Sequence, residues 1–260
     1  MLKLPALLLG AKQNRLLKNG KVVFCLVLAG NLSGCQKENQ FDCLKSTGTQ
    51  VADNRMVAPF THIRVFDNIE VELVKDSVHF VEIHAGDNLL PNIETKVENG
   101  VLTLHNNNKC NWVRSYKHTP KAVVHVANPR RILHDGYQTV RSRGTLVQDS
   151  IDLNITDAGD FDLTLQSRFV RTTQYETGNI TLKGTAQLFS FENYGLGKVY
   201  AAGLAADTVY GHVAGQGDNH VRATKVVGAT IAGAGNVYYY GSPEEAGVSG
   251  PGPGQFIHLP

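Results

Sequence analysis

Tyr200, His220 and Tyr238 are spaced 20 and 18 residues apart and carry the ring chemistry best suited to meeting a ligand. A tyrosine joins a flat apolar face to a hydroxyl, so a row of such rings stacks a sugar or anchors a protein partner. Tyr210 and His212 lie between the first two and belong to the same candidate strip. A second set, Asp152, Asp162 and Arg171, has the residue types of metal-assisted elimination, with carboxylates to hold calcium and a guanidinium to take a proton. These are also common surface residues, and plain solvated charge accounts for them equally. The ten histidines are scattered, and His79 and His84 sit at odd spacing, which sends them to opposite sides of a strand. The sequence lacks a Gly-x-Ser-x-Gly elbow, a Walker loop and a His-Glu-x-x-His pair. It offers no cofactor motif and no metal-ligand spacing, and the expectation is a protein that is not an enzyme.

The elements that would hold such residues are strands. The 260 residues are 42% hydrophobic with 26 glycines, which excludes disorder, collagen and a polytopic membrane protein. Glycines recur at 159, 178, 197, 217 and 235, at intervals of 19, 19, 20 and 18. A short alternating run follows each one, and in most units another precedes it, as in Ile151-Leu153-Ile155 and Val227-Ala229-Ile231. A two-strand unit this small cannot bury its apolar face alone and must stack on its neighbours. The pattern predicts an all-β solenoid, a parallel β-helix whose coils of about 19 residues rise about 4.8 Å each. The competing arrangement is an antiparallel sandwich with glycine-rich turns.

Phe161, Ile180, Val199, Asn219 and Val237, two past each glycine, should point inward, as should Leu163, Leu182, Ala201, Val221 and Tyr239. Asn219 breaks an apolar row and needs a buried hydrogen-bond partner. The glycines are expected to make the corners, and the Asp or Asn after four of them to take left-handed backbone and bond its own turn. Asp162, Thr181, Tyr200, His220 and Tyr238 then face outward on successive coils. The aromatic row is either a binding strip or a ladder that only stabilises the sheet. Upstream, 57–135 alternates less regularly, with Asn99-Gly100 as a two-residue hairpin turn.

The N-terminus reads as an address. Residues 1–34 hold five of the 25 basic residues and no acid, so the remainder carries 20 basic against 23 acidic residues and has no footprint for nucleic acid. Val22–Leu32 is an apolar run too short to span a bilayer, which needs roughly 20 residues, and it follows Lys18 and Lys21. It ends in Leu32-Ser33-Gly34-Cys35, which resembles the lipobox of bacterial lipoproteins. The resemblance implies a signal peptide over 1–34 and acylation of Cys35; an ordinary signal with a chance cysteine is the alternative. Cys43 and Cys110 remain, as a disulfide closing 66 intervening residues or as two free thiols. The loop around Trp112 is either a second binding candidate or a plug for one end of the core.

Phe60–Leu73, the run Ala85-Gly-Asp-Asn-Leu-Leu, Asn99-Gly-Val-Leu-Thr-Leu, and the ending Gly215-Gln-Gly217 with Ala232–Pro243 resemble the putative auto-transporter adhesin head, or GIN, domain over about 57–245. That resemblance implies a right-handed β-helix on an exported lipoprotein of Bacteroidetes-type bacteria and no established activity. The expected layout is a tether over 35–56, a domain over 57–245 with regular coils at 136–241, and a flexible tail over 246–260. The expected protein is lipid-anchored at the outer membrane, on its periplasmic or outer side, with a glycan or protein ligand on the solenoid face. A polysaccharide-lyase-like enzyme on a β-helix is the alternative; oligomeric state is open.

Overall fold

A computed structural model describes residues 46–109 and 119–260. Cys35, Cys43, Cys110 and Trp112, with the expectations attached to them, lie outside the described residues. Five long strands carry the regular part: β9 (Val140–Ile155), β10 (Phe161–Gln174), β11 (Ile180–Asn193), β12 (Val199–Val213) and β13 (Asn219–Ile231). Each pairs in parallel with the next, one strand per coil, in a β-solenoid of about 7 turns with coils near 19 residues. The expected pair of strands per repeat is therefore one bent strand. Register shifts at Asp162/Thr164, Thr181/Lys183 and Ala201/Ala205 turn the chain while pairing continues on both sides.

The upstream part feeds this stack from two directions. β1 (Gln50–Met56) and β4 (Phe80–Gly86) pair antiparallel, and β4 continues antiparallel to β7 (Lys121–Val126). β7 then runs parallel to β3 (Glu70–Lys75), which lies beside the first arm of β9. β2 (His62–Asp67) sits between β6 (Val101–Asn106) and β8 (Arg131–Gly136), and β8 pairs the second arm of β9. β5 (Ile93–Glu98) returns onto β6 through Asn99 and Gly100, whose φ of 50° and 74° are those of the predicted hairpin turn. Part of the expected tether is thus sheet, because Gln50–Met56 caps the edge of β4.

The inward ladders form as the alternation requires. Val140, Phe161, Ile180, Val199, Asn219 and Val237 are in register on successive coils, each no more than 1% exposed. Leu163, Leu182, Ala201 and Val221 are fully buried, and Tyr239 is half-buried against the same core. Burying one such side chain contributes about 1.5–3 kcal/mol, which a coil gains only with a neighbour above or below. On the second arm Phe191 stands beside Gly211, where a Cβ would meet the Phe191 ring, so the large side chain fills the space the glycine leaves. Asn219 finds its partners: its Oδ1 accepts from Asn193 Nδ2 at 2.9 Å, and its Nδ2 donates to the Gly217 carbonyl at 2.9 Å.

Two expectations about the corners are corrected. None of the five repeat glycines has a positive φ. They are glycine because the coils approach too closely for anything larger: a Cβ on Gly178, Gly197, Gly217 or Gly235 would fall on the carbonyl oxygen of the repeat glycine one coil back. The Asp and Asn residues that follow do not serve their own turn. Asp160 Oδ1 accepts from the Asn179 amide at 2.6 Å, Asn179 Oδ1 from Lys198 at 3.0 Å, Asp218 Oδ1 from Asn236 at 3.2 Å, and Asn236 Oδ1 from Gln255 at 2.8 Å. Each side chain thus ties its coil to the next; Lys198, with no acceptor, does so through an ion pair from its Nζ to Asp218 at 4.0 Å.

The segment 246–260 is not a free tail. After β14 (Val237–Tyr240), β15 (Glu245–Ser249) pairs with β13 and β16 (Phe256–Leu259) pairs with β14, completing a further coil. Gly252 and Gly254 lie over the carbonyls of Gly233 and Gly235, so Gly250-Pro-Gly-Pro-Gly254 repeats the tight corner of the coils beneath. A glycine-proline run that reads as a linker is here a stacked turn.

Candidate functional site

Strand register places the outward positions of the first arm in one row. Arg141, Asp162, Thr181, Tyr200, His220, Tyr238 and Ile257 follow one another on successive coils. The row is charged at its N-terminal end, where Lys183 meets Asp162 at 3.4 Å, and aromatic from Tyr200 onward. The rings of Tyr200 and His220 lie 5.8 Å apart at 20°, and those of His220 and Tyr238 4.7 Å apart at 14°. Tyr200 is 42% exposed, so an apolar face is held open to solvent. The buried ladder of Val199, Asn219 and Val237 directly beneath fixes the spacing of the rings.

Tyr240 extends the row sideways. Its ring is 6.3 Å from His220, its hydroxyl 3.4 Å from His220 Nδ1, and the Arg222 guanidinium carbon 5.7 Å from its ring centroid. A groove of about 260 Å³ runs between these rings and Lys183, Ala202 and Gly203. Burial holds the His220 imidazole below its usual range, with Asp218 pulling the other way. At neutral pH it is therefore an uncharged flat ring, able to stack and to exchange one hydrogen bond in each direction.

The structure does not bring Tyr210 and His212 into this row. They stand on the second arm of β12, beyond the register shifts that bend the strand. Tyr210 is 51% exposed and covers Gly228 of the next coil. The His212 ring lies 5.6 Å from Tyr194, which stacks on Tyr175 at 5.4 Å and 9°. Sequence reasoning missed Tyr175, Tyr194 and Tyr240. Tyr175 and Tyr194 each stand three residues before a repeat glycine, so the repeat itself carried the signal. His79 packs edge-on against Phe60, and His84 faces Glu82 at 3.3 Å.

Asp152, Asp162 and Arg171 do not all converge: Arg171 and Asp152 are in register on adjacent coils, but Asp162 lies apart from them. Asp152 is held by Arg131 at 2.6 Å and Arg171 by Glu192 at 2.9 Å, while Asp162 is on the other arm of β10 beside Lys183. Among the described residues no three acidic, histidine or cysteine side chains are grouped to hold a metal ion.

A family model described as "Putative auto-transporter adhesin, head GIN domain" matches residues 59–243. A crystal structure of "a putative adhesin" from Bacteroides fragilis NCTC 9343 is similar at TM-score 0.74 and 22% identity, covering 81% of this chain and 97% of its own. Two from Parabacteroides distasonis ATCC 8503 are also similar. One, described as a "putative lipid binding protein", has TM-score 0.65 and 18% identity over 83% of this chain and 98% of its own. The other, a "putative adhesin", has TM-score 0.62 and 19% identity over 82% and 98%. At these identities the likeness is one of fold. No curated protein matches the chain.

Proposed function

This chain belongs to the putative auto-transporter adhesin, head GIN domain family, and from that premise we propose that it is a non-catalytic ligand-binding module held on the cell envelope by a lipid at Cys35. The observation that carries the reading is the Tyr200–His220–Tyr238 row, three near-parallel rings on consecutive coils beside an open groove. Rings displayed on stacked, fully paired strands are already ordered, so little conformational entropy is lost when a flat ligand settles on them. The ligand is a glycan or a protein segment, both of which use stacking on tyrosine with a hydroxyl at its edge. Anchoring fits the same reading, because acyl chains contribute about 0.8 kcal/mol per buried methylene and need no transmembrane helix.

Two measurements test it. Cells fed a labelled palmitate should incorporate it into the full chain and not into Cys35→Ser; label retained by the serine variant refutes the anchor. The full chain, screened on a glycan array and by pull-down from envelope extracts, should retain a ligand that Tyr200→Ala/Tyr238→Ala loses. Retention by that variant of everything the parent binds leaves the row as a stabilising ladder.

A further inference from the structure

The aromatic row stops at Tyr200. Thr181, in register one coil back, carries no ring, and among the described residues only His220 stacks on Tyr200. This 42% exposed ring thus keeps one flat side free of any ring where it lines the groove with Lys183, Ala202 and Gly203. The groove has a local cause in β12. Its register with β13 passes from Ala201–Val221 to Ala205–Arg222, so Ala202, Gly203 and Leu204 bulge out without opposite numbers on that side. Gly203 adds no side chain to the wall, and a Cβ there would meet Lys183 Cγ at 3.1 Å.

Two cations flank this bulge. Lys183 is in register with Gly203 on one side. On the other, Arg222 donates from Nε to the Ala202 carbonyl at 2.9 Å and lies over the Tyr240 ring. The other arginines of the long strands are neutralised: Arg141 meets Glu70 at 3.4 Å, Arg143 Glu72 at 2.7 Å, Arg168 Asp149 at 3.1 Å and Arg171 Glu192 at 2.9 Å. Arg222 is exposed, is positioned by two contacts, and meets no carboxylate among the described residues. The nearby acids have lysine partners, Asp162 with Lys183 at 3.4 Å and Asp218 with Lys198 at 4.0 Å. With Nε engaged, the two terminal nitrogens of Arg222 remain to grip one carboxylate end-on, the stronger kind of hydrogen bond.

A ligand matched to this groove joins a flat apolar face, for Tyr200, to a negative charge at its edge, for Arg222. A uronic acid has both, the C–H face of its pyranose and the carboxylate on its ring. An acidic peptide would bring the charge but bind best by extending a sheet, and β11, β12 and β13 are each paired on both sides here, so the groove offers no strand edge. We propose that the groove takes an acidic saccharide, with a carboxylated sugar ring stacked on Tyr200, its carboxylate on Arg222 and Lys183 at the rim. This rests on the aromatic row being the ligand face and narrows its ligand to an anionic glycan.

The full chain should be titrated with tetragalacturonate, a mannuronate tetramer and a hyaluronan hexasaccharide, with cellohexaose and mannohexaose as neutral probes and hexaglutamate as the acidic-peptide probe. The expected result is binding of at least one uronate probe, at least about 10-fold tighter than any neutral or peptide probe, and weakened at least about 10-fold by Arg222→Gln. That affinity should fall as salt rises from about 0.05 to 0.5 M, because exposed charges are screened. Lys183→Met should weaken it about 3-fold, and carries the test should Arg222→Gln fail to fold. Undiminished uronate binding in Arg222→Gln, or no retention of any uronate probe, overturns the assignment. A neutral or peptide probe retained by the parent and lost by Tyr200→Ala/Tyr238→Ala, with no uronate bound, overturns it while leaving the aromatic row as the ligand face. Uronate binding unchanged in that double variant overturns both.

Discussion

Replacing Gly217 by alanine adds one methyl group where the neighbouring coil leaves no room for it. The new Cβ would fall on the carbonyl oxygen of Gly197, and that coil cannot retreat because Gly197 already lies against Gly178. Spreading the coils would lengthen the corner bonds from the Gly217 amide to Gly195 at 3.3 Å and from the Gly235 amide to Gly215 at 3.1 Å. Overpacking of this kind costs about 1–3 kcal/mol. Against it stands a gain of about 0.4–1 kcal/mol, because alanine narrows the unfolded ensemble and the φ at this position is ordinary. The net expectation is a loss of about 1–2 kcal/mol. Gly247 supplies the control: a Cβ there meets nothing within 4 Å and its φ is also ordinary, so Gly247→Ala should be neutral or more stable by up to about 1 kcal/mol. Urea titration of the two full-length variants side by side, at unchanged transition slope, reads the difference. Equal stabilities, or a stabilised Gly217→Ala, would refute close coil approach as the reason for the glycine series.

Three further outcomes follow from the same geometry. Leu182→Ala empties a fully buried position between stacked coils and should lose about 2–5 kcal/mol, whereas Tyr200→Ala, on the outer face, should lose no more than about 1 kcal/mol in the same titration. Burial holds His134 below the usual histidine range, so the unfolded chain takes up a proton that the folded chain refuses; stability should fall as pH drops below about 6.5, and His134→Gln should flatten that limb of the curve. Glu72 is held down to about 2 from 4.5, first by Arg143 and then by Lys121, so its contribution is present above pH 4.5 and disappears as pH falls toward 2. Glu72→Gln should lose stability at neutral pH and less of it in acid, as followed by thermal midpoints.

The coils could be read from the sequence because their cause is local and repetitive: period-two alternation sets what faces inward, and the glycine spacing sets the coil length. Phe161, Ile180 and Val199 had no other side to occupy. The glycine interval also continued from Gly235 to Gly254, but the intervening prolines imitate a linker, and only the stacking of Gly254 on Gly235 shows a coil. The role of Asn179 was hidden for a related reason. Its partner is the Lys198 amide, 19 residues away in sequence and adjacent only once the coils are stacked. Of the aromatic strip, Tyr200, His220 and Tyr238 share one register position and were predictable together. Tyr210 and His212 were separated from them by bends in β12 that no periodicity announces.

The decisive comparison is between two double variants that each remove a pair of solvent-facing tyrosines from the same solenoid. Tyr200→Ala/Tyr238→Ala dismantles the first-arm row, and Tyr175→Ala/Tyr194→Ala dismantles the stacked pair at the other corner. With the ligand recovered by the parent chain, affinity should collapse for the first variant and hold for the second. Equal affinity in both, or loss confined to the second, would contradict the assignment of the ligand face.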